Sequence, residues 1–177
     1  MSENLRPEEP AVTRLSEDDW RVWRAVRLAA LAEAPGSFGS TLEQEQTLGD
    51  EEWQAMMRRG AVFIAAAGGT AAGGAAAGGA AVGVAAGIRR PDPAERGLGA
   101  MWVAPPWRGR GVAARLADAV IDWARQEGAA RVGLWAPADN PRACRFYERQ
   151  GFRPTGKTRP FPGHPGRLIA EMGLDLP

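Results

Sequence analysis

Residues 108 to 113, Arg-Gly-Arg-Gly-Val-Ala, lie between an apolar run (Leu98 to Ala104) and an amphipathic one that starts at Val112. An apolar run of this length reads as a strand, and the amphipathic run reads as a helix. Glycines at a strand-to-helix turn let main-chain N–H groups approach an anion closely, and the helix start adds partial positive charge there. Arg108 and Arg110 add formal charge and forked donors. The segment therefore predicts a seat for a phosphate-bearing ligand. Two common phosphate motifs fit poorly. A nucleotide P-loop needs a lysine in G-x-x-x-x-G-K-[ST], and the sole lysine, Lys157, lies outside any such frame. A dinucleotide fingerprint needs G-x-G-x-x-G after a first strand, whereas Gly109 and Gly111 come past mid-chain and Ala114 stands in the third glycine's place.

A second segment lies downstream of a strand-like run (Ala130 to Ala136): Asn140-Pro141-Arg142-Ala143-Cys144-Arg145-Phe146-Tyr147-Glu148-Arg149-Gln150-Gly151-Phe152. The first segment, as R-x-x-G-x-A, resembles the pyrophosphate loop of the GNAT (Gcn5-related) N-acetyltransferases. The second resembles that family's N-x-x-A-x-x-F-Y-x-x-x-G-F segment. The two stand in the family's order and at its separation, and the resemblance extends from about residue 11 onward. At the end of the loop motif, Ala113 replaces the commoner glycine.

The resemblance implies acetyl-CoA as acyl donor and no metal. Its pyrophosphate would be bound by Arg108, Gly109, Arg110, Gly111, Val112 and Ala113. Trp102 and Val103 would give main-chain contacts to the pantetheine arm, and the Val103 N–H would polarise the thioester carbonyl. Asn140 would cap its helix and also touch the pantetheine. Tyr147 sits at the family's general-acid position, and a phenol near pKa ~10 can protonate a leaving thiolate whose thiol is near ~8.5. The alternative for Phe146 and Tyr147 is ordinary helix packing. Cys144 invites an acyl-enzyme, but the family transfers directly and a single helical cysteine is usually packing.

The acceptor side is less legible. An alkyl ammonium with pKa around 10 must lose a proton at neutral pH. Glu171 on the last strand, Glu43, Glu45, Glu95 and the lone His164, in a loop between the last two strands, are candidates, although residues of these types are more often solvated side chains. Leu28 to Thr41, with Pro35-Gly36-Ser37-Phe38-Gly39-Ser40 at its heart, resembles an acceptor-side segment of bacterial members. It offers Phe38 as a wall and Ser40 as a polar contact.

The elements that must position these residues follow from periodicity. Ala11 to Arg14 reads as a strand. Ser16 caps a helix running to Ala34, with Leu15 and Trp20 as a hydrophobic staple. Glu51 to Arg59 reads as a second helix closed by Gly60. Ala61 to Ala67 and Ala81 to Arg89 read as strands joined by an Ala/Gly-rich hairpin insertion, residues 68–80, expected to be mobile. Val112, Leu116, Val120 and Trp123 form one apolar helix face ending at Gly128, and Asn140 with Pro141 opens the next helix. The last strand alternates, with Leu168, Ala170, Met172, Leu174 and Leu176 on one face. The predicted order is β-α-α-β-β-β-α-β-α-β-β: an α+β fold with a mixed, mostly antiparallel sheet of about seven strands and helices on both faces, the acyl-CoA N-acyltransferase fold.

Composition bounds the rest. The 177 residues fit one domain, 11–177, behind a flexible tail, 1–10. A net charge of +1 argues against nucleic acid or membrane as partner. One cysteine and one histidine exclude an internal disulfide and a His/Cys zinc site. No signal peptide or membrane-length apolar run appears, so a cytoplasmic location is expected. The expected function is transfer of acetyl to a primary amine of a small molecule or protein, with a homodimer common in the family. The competing readings are a non-catalytic acyl-CoA-binding module of the same fold and a dinucleotide-binding oxidoreductase fragment. The Asn140–Phe152 segment disfavours the second of these.

Overall fold

The computed structural model describes residues 9–68 and 80–177. Most of the predicted tail and residues 69–79 of the predicted insertion lie outside them. Seven strands form one sheet in the order β1-β2-β3-β4-β5-β7-β6. They are β1 (Ala11–Arg14), β2 (Gly60–Ala67), β3 (Ala80–Arg89), β4 (Glu95–Val103), β5 (Arg131–Pro137), β6 (Arg153–Pro160) and β7 (Leu168–Asp175). Every neighbouring pair is antiparallel except β4 with β5. The α+β sheet read from the sequence is the one observed.

Helices cover both faces. On one, α4 (Val112–Gln126) and α5 (Pro141–Arg149) pack over the sheet centre. Val112, Leu116, Val120 and Trp123, the predicted stripe, are all buried there with Leu98, Leu134, Phe152 and Met172. On the other, α1 (Trp20–Glu33) and α3 (Asp50–Arg58) bury Trp20, Trp23, Trp53 and Met57 against Val62, Ile64 and Val84. Alternation along β2 divides Phe63 and Ala65 from Val62 and Ile64, which is the period-two signature of a strand covered on both sides.

Several local expectations are corrected. Three helices, not two, precede β2: Leu42–Gln46 forms α2 inside what reads as a loop. Thr41 starts it, because Gln44 N–H donates to the Thr41 hydroxyl at 3.2 Å and Thr41 N–H to the Gln44 side chain at 3.0 Å. Ser16 opens a single 3-10 turn (Glu17–Asp19) ahead of α1, donating through both N–H and hydroxyl to Asp19. Gly60 does not close α3. It begins β2, where a Cβ would meet Gly87 O at 1.9 Å, so its smallness serves the close approach of two strands. β4 begins at Glu95, ahead of its apolar run, because the polar residues Glu95 and Arg96 pair with β5. The alternation of β7 holds for Met172 and Leu174, which join the α4 core, but fails at its start. Leu168 lies beyond that core and is 48% exposed, while Ile169 is buried.

The α5 stop is as read: Phe152 N–H donates to Tyr147 O and Gly151 N–H to Glu148 O, both at 3.0 Å, a Schellman closure that seats Phe152 in the core. Among the described residues no helix is long and apolar enough to cross a membrane, and no cluster of three or more His, Cys, Asp or Glu could hold a metal.

Candidate active site

β4 and β5 pair only at Glu95–Arg131, Arg96–Val132 and Gly97–Gly133. Beyond Gly97 they part, and a cleft of about 620 Å³ opens between Leu98–Val103 on one side and Trp135–Pro137 on the other. A bulge aids the parting. Between the pairs Ala86–Gly99 and Val84–Trp102, β4 has one residue more than β3, and Ala100 takes φ 51°, the one non-glycine positive φ among the described residues. An alanine held there stores strain at the cleft wall.

The bulge resets which main-chain groups face the cleft. Ala104 N–H donates to Val82 O at 2.9 Å, so in this antiparallel register Trp102 also points its main chain at β3 and Val103 points its own away. Val103 therefore turns N–H and C=O toward the cleft, and its carbonyl accepts from Arg108 Nε at 2.8 Å. The Trp102 main chain, the expected source of a contact, is paired with β3, and Trp102 lines the cleft.

The loop after β4 is built for close main-chain approach. A 3-10 turn, Pro105–Trp107, leads into Arg108, and Gly109 and Gly111 adopt φ of 76° and 77°, with open space where a side chain would stand. Gly111 is the residue from which α4 departs. The first helical N–H with an acceptor is that of Arg115, bonded to Gly111 O, so the N–H groups of Gly109 through Ala114 have no main-chain acceptor among the described residues. That is the donor cradle an anion needs at a helix start. Gly109, Gly111, Val112, Ala113 and Ala114 line the cleft. Arg110 does not: its guanidinium lies over the Trp107 ring, 5.3 Å from the centroid. Arg108 lines it, but its guanidinium is engaged, by Val103 O and by a short ion pair to Glu33 Oε2 at the end of α1. Trp102 Nε1 donates to the same oxygen at 2.9 Å. These two donors, the indole first, hold the Glu33 carboxyl below the usual carboxylate range.

Opposite the loop, α5 presents Asn140, Arg142, Ala143, Phe146 and Tyr147 to the cleft. Asn140 caps the helix, accepting from Ala143 N–H at 3.1 Å. The Tyr147 ring is wedged edge-on against Phe146 and Phe152, at 5.0 and 5.9 Å between centroids. Its hydroxyl has no hydrogen-bond partner among the described residues, and it is not sealed off from the cleft. Burial, with a smaller push from Cys144, raises the phenol pKa well above its ordinary value, so the group stays a proton donor at neutral pH. Cys144 itself does not line the cleft.

The acceptor-side candidates separate. Phe38 lines the cleft, with Ser37 beside it. Ser40 is drawn away into a buried cluster: Arg27 forks onto Glu45 at 2.7 to 3.1 Å and donates to the Ser40 hydroxyl at 2.9 Å, which itself bonds Glu45. Glu45 is thus a buried ion-pair partner and Glu43 an exposed residue of α2. His164 is stacked on Phe161, and its Nε2 meets Phe38 O at 2.8 Å, so it braces the Phe38 loop rather than walling the cleft. Arg167 adds a second brace, donating to Gly36 O at 2.9 Å while gripping Asp139. Glu171 lies beside Trp135 on the sheet but is occupied by the Thr155 hydroxyl at 2.8 Å and Lys157. These outweigh the effect of its burial and lower its pKa. Glu95 stands where β4 still pairs with β5. None of these carboxylates lines the cleft. Residues missed in the sequence include Ala100, Trp135, Arg142, Arg149 and Glu33. Only Trp135, a large aromatic in a predicted strand that otherwise buries smaller residues, carried a signal.

Comparison with known proteins agrees with this geometry. The model of the acetyltransferase (GNAT) family matches residues 23–152. A curated relative, an uncharacterized N-acetyltransferase of Methanocaldococcus jannaschii, is 38% identical over 52 residues, which is 29% of this chain and only 23% of that protein's length. Among solved structures, yncA of Salmonella typhimurium, determined with its cofactor acetyl-CoA, superposes with a TM-score of 0.70 at 17% identity, covering 95% of this chain and 94% of that one. A GCN5-related N-acetyltransferase from Kribbella flavida gives a TM-score of 0.65 at 23% identity, covering 94% and 97%. With the family model spanning well over half its length, the chain belongs to the GNAT acetyltransferase family.

Proposed function

We propose that the protein transfers the acetyl group of acetyl-CoA directly to a primary amine of a small molecule or peptide. The observation that carries this reading is the parted β4–β5 cleft, with unbonded N–H groups at one end and an unpartnered phenol on its wall. The residues present fit the donor: the Gly109–Ala114 N–H groups suit a pyrophosphate, and the apolar strand edges suit the pantetheine arm. Bound acetyl-CoA supplies an activated thioester, whose C–S bond is exchanged for a C–N bond.

In this reading Val103 offers its N–H to the thioester oxygen, where negative charge develops. Asn140 holds the α5 start against the pantetheine arm. Tyr147 gives its proton to the departing sulfur. The nitrogen loses one proton to solvent before attack and a second after the C–N bond forms, and the second restores the phenol, so charge and protons balance. A phenol with a raised pKa delivers a proton only to a thiolate as poorly solvated as itself, and the walls around Tyr147 supply that condition. Arg108 joins the loop to α1 through Glu33, which leaves the main chain as the principal phosphate donor.

Thermal denaturation with acetyl-CoA tests donor binding: at 100 times its Kd the ligand adds about 2.7 kcal/mol of stability. Thiol release across an amine panel tests transfer. An unchanged melting curve with acetyl-CoA and with CoA refutes the reading. Binding without thiol release from any amine identifies an acyl-CoA-binding module instead.

A further inference from the structure

The cleft passes through the sheet, and its two mouths differ in chemistry. On the α4–α5 face it is bordered by the unbonded N–H groups of the loop and by Arg142 and Arg149. On the α1 face its walls are Ser37, Phe38, Ala100, Trp102 and Trp135. The sides follow from alternation. Leu134 and Ala136 pack in the α4 core, so Trp135 between them points to the other face, where Ala100, Trp102 and Phe38 pack with the α1 residues.

These α1-side walls carry three aromatic rings, and Arg108, the charged side chain that reaches toward them, is paired with Glu33. The carboxylates nearby are committed, Glu33 to Trp102 and Arg108, and Glu171 to Thr155 and Lys157. The free charge at this mouth is positive. The Arg159 guanidinium lies 4.2 Å from the Trp135 ring centroid and has no carboxylate partner among the described residues.

We propose that the acceptor is a primary monoamine carried on an apolar or aromatic group, of the arylalkylamine class. This rests on the acetyl-transfer reading above. Aromatic walls reward a flat apolar body. A second ammonium, as in a polyamine, meets the like charge of Arg159 and finds no free carboxylate. A carboxylate next to the amine would leave water for indole and phenyl walls, because Arg108 is already held by Glu33 and Val103 O and Arg159 is exposed and outside the cleft lining. The same walls answer how the amine loses its proton when no carboxylate or histidine lines the cleft. Removing an ammonium from water lowers its pKa, so entry into the cleft itself favours the free base.

The test uses the full chain with acetyl-CoA, reading thiol release with phenylethylamine, tryptamine, spermidine and glutamate. The expected result is kcat/KM for the two arylalkylamines at least about tenfold above the other two. Trp135→Ala raises KM for phenylethylamine about tenfold at unchanged acetyl-CoA Kd, and Trp135→Phe recovers most of the loss. Equal or better turnover of spermidine or glutamate overturns the acceptor class and leaves acetyl transfer standing. Acetyl-CoA binding with none of the four amines consumed overturns the acceptor class too. Failure to bind acetyl-CoA overturns the underlying function instead. The panel on the unaltered chain decides the matter even if a Trp135 variant folds poorly.

Discussion

Tyr147→Phe removes one oxygen from the cleft wall and leaves the ring in place. The ring is 8% exposed as part of its residue and keeps both edge-on contacts, to Phe146 and Phe152. The lost hydroxyl had no partner, so no buried group is orphaned and no cavity large enough to matter opens. Folding stability should therefore change by less than about 0.5 kcal/mol. Turnover should fall far more. A positioned general acid contributes about 100- to 10,000-fold, or roughly 3 to 5 kcal/mol of barrier. The assay is kcat with an active amine, beside acetyl-CoA Kd and Tm on the same preparation. Tyr147→Ala is the contrast: emptying the ring's place costs about 3–5 kcal/mol of stability. A Phe variant within threefold of the parent kcat refutes the acid role, and a Phe variant as unstable as the Ala variant refutes the packing argument.

The same residue gives a spectroscopic check, because it is the sole tyrosine of the chain. Burial raises its pKa, so tyrosinate absorbance should appear at higher pH in the native protein than after denaturation, where the phenol titrates near ~10. The sign for stability follows. The contribution is complete below the unfolded value of about 10 and is lost as pH rises toward the folded one, so the parent should lose stability in strong base faster than Tyr147→Phe.

Three further outcomes follow from the local geometry. Glu45→Gln leaves the Arg27 guanidinium, whose side chain is only 11% exposed, without its counter-charge, and should cost about 3–5 kcal/mol in denaturant titrations, whereas the double change Arg27→Met with Glu45→Leu should recover most of that. Ala100→Gly relieves a left-handed alanine and should stabilise by roughly 0.5–1 kcal/mol, while Gly111→Ala imposes the same strain and should destabilise by about 1–2 kcal/mol; thermal denaturation reads both. Glu33, with its depressed pKa, lends stability above an unfolded carboxyl pKa near ~4.3 that disappears as pH falls through the lower folded value, so Glu33→Gln should flatten that acid limb.

What was legible in the chain was local. Gly109 and Gly111 announce a turn by type, Asn140-Pro141 announces a helix start, and Gly151-Phe152 announces its end, because each depends on residues within one turn of itself. The α4 stripe was legible for the same reason. The bulge at Ala100 was not, since alanine is an unfavourable choice for a left-handed position and no residue type marks it. Nor was the point where β4 leaves β5, which depends on a parallel pairing between strands more than thirty residues apart. Glu33 was invisible because its partners lie 69 and 75 residues away. The Arg27–Glu45 pair was legible in principle: Arg27 falls four residues after Trp23 and four before Leu31, on the buried stripe of α1, where an arginine requires a buried acceptor.

Glu33 also bears on how donor and acceptor sites depend on one another. One of its carboxylate oxygens takes the Trp102 indole from β4 and the Arg108 guanidinium from the loop, while Glu33 itself ends α1, next to the Phe38 segment. Arg108 is tied through Glu33 to Trp102, a wall of the opposite mouth. The loop and the Trp102 wall thus share a joint of three side chains. On the proposed function this joint predicts interdependent and reciprocal binding: acetyl-CoA Kd with and without the amine should change by the same factor as amine affinity with and without the donor, and Glu33→Gln should shrink that factor.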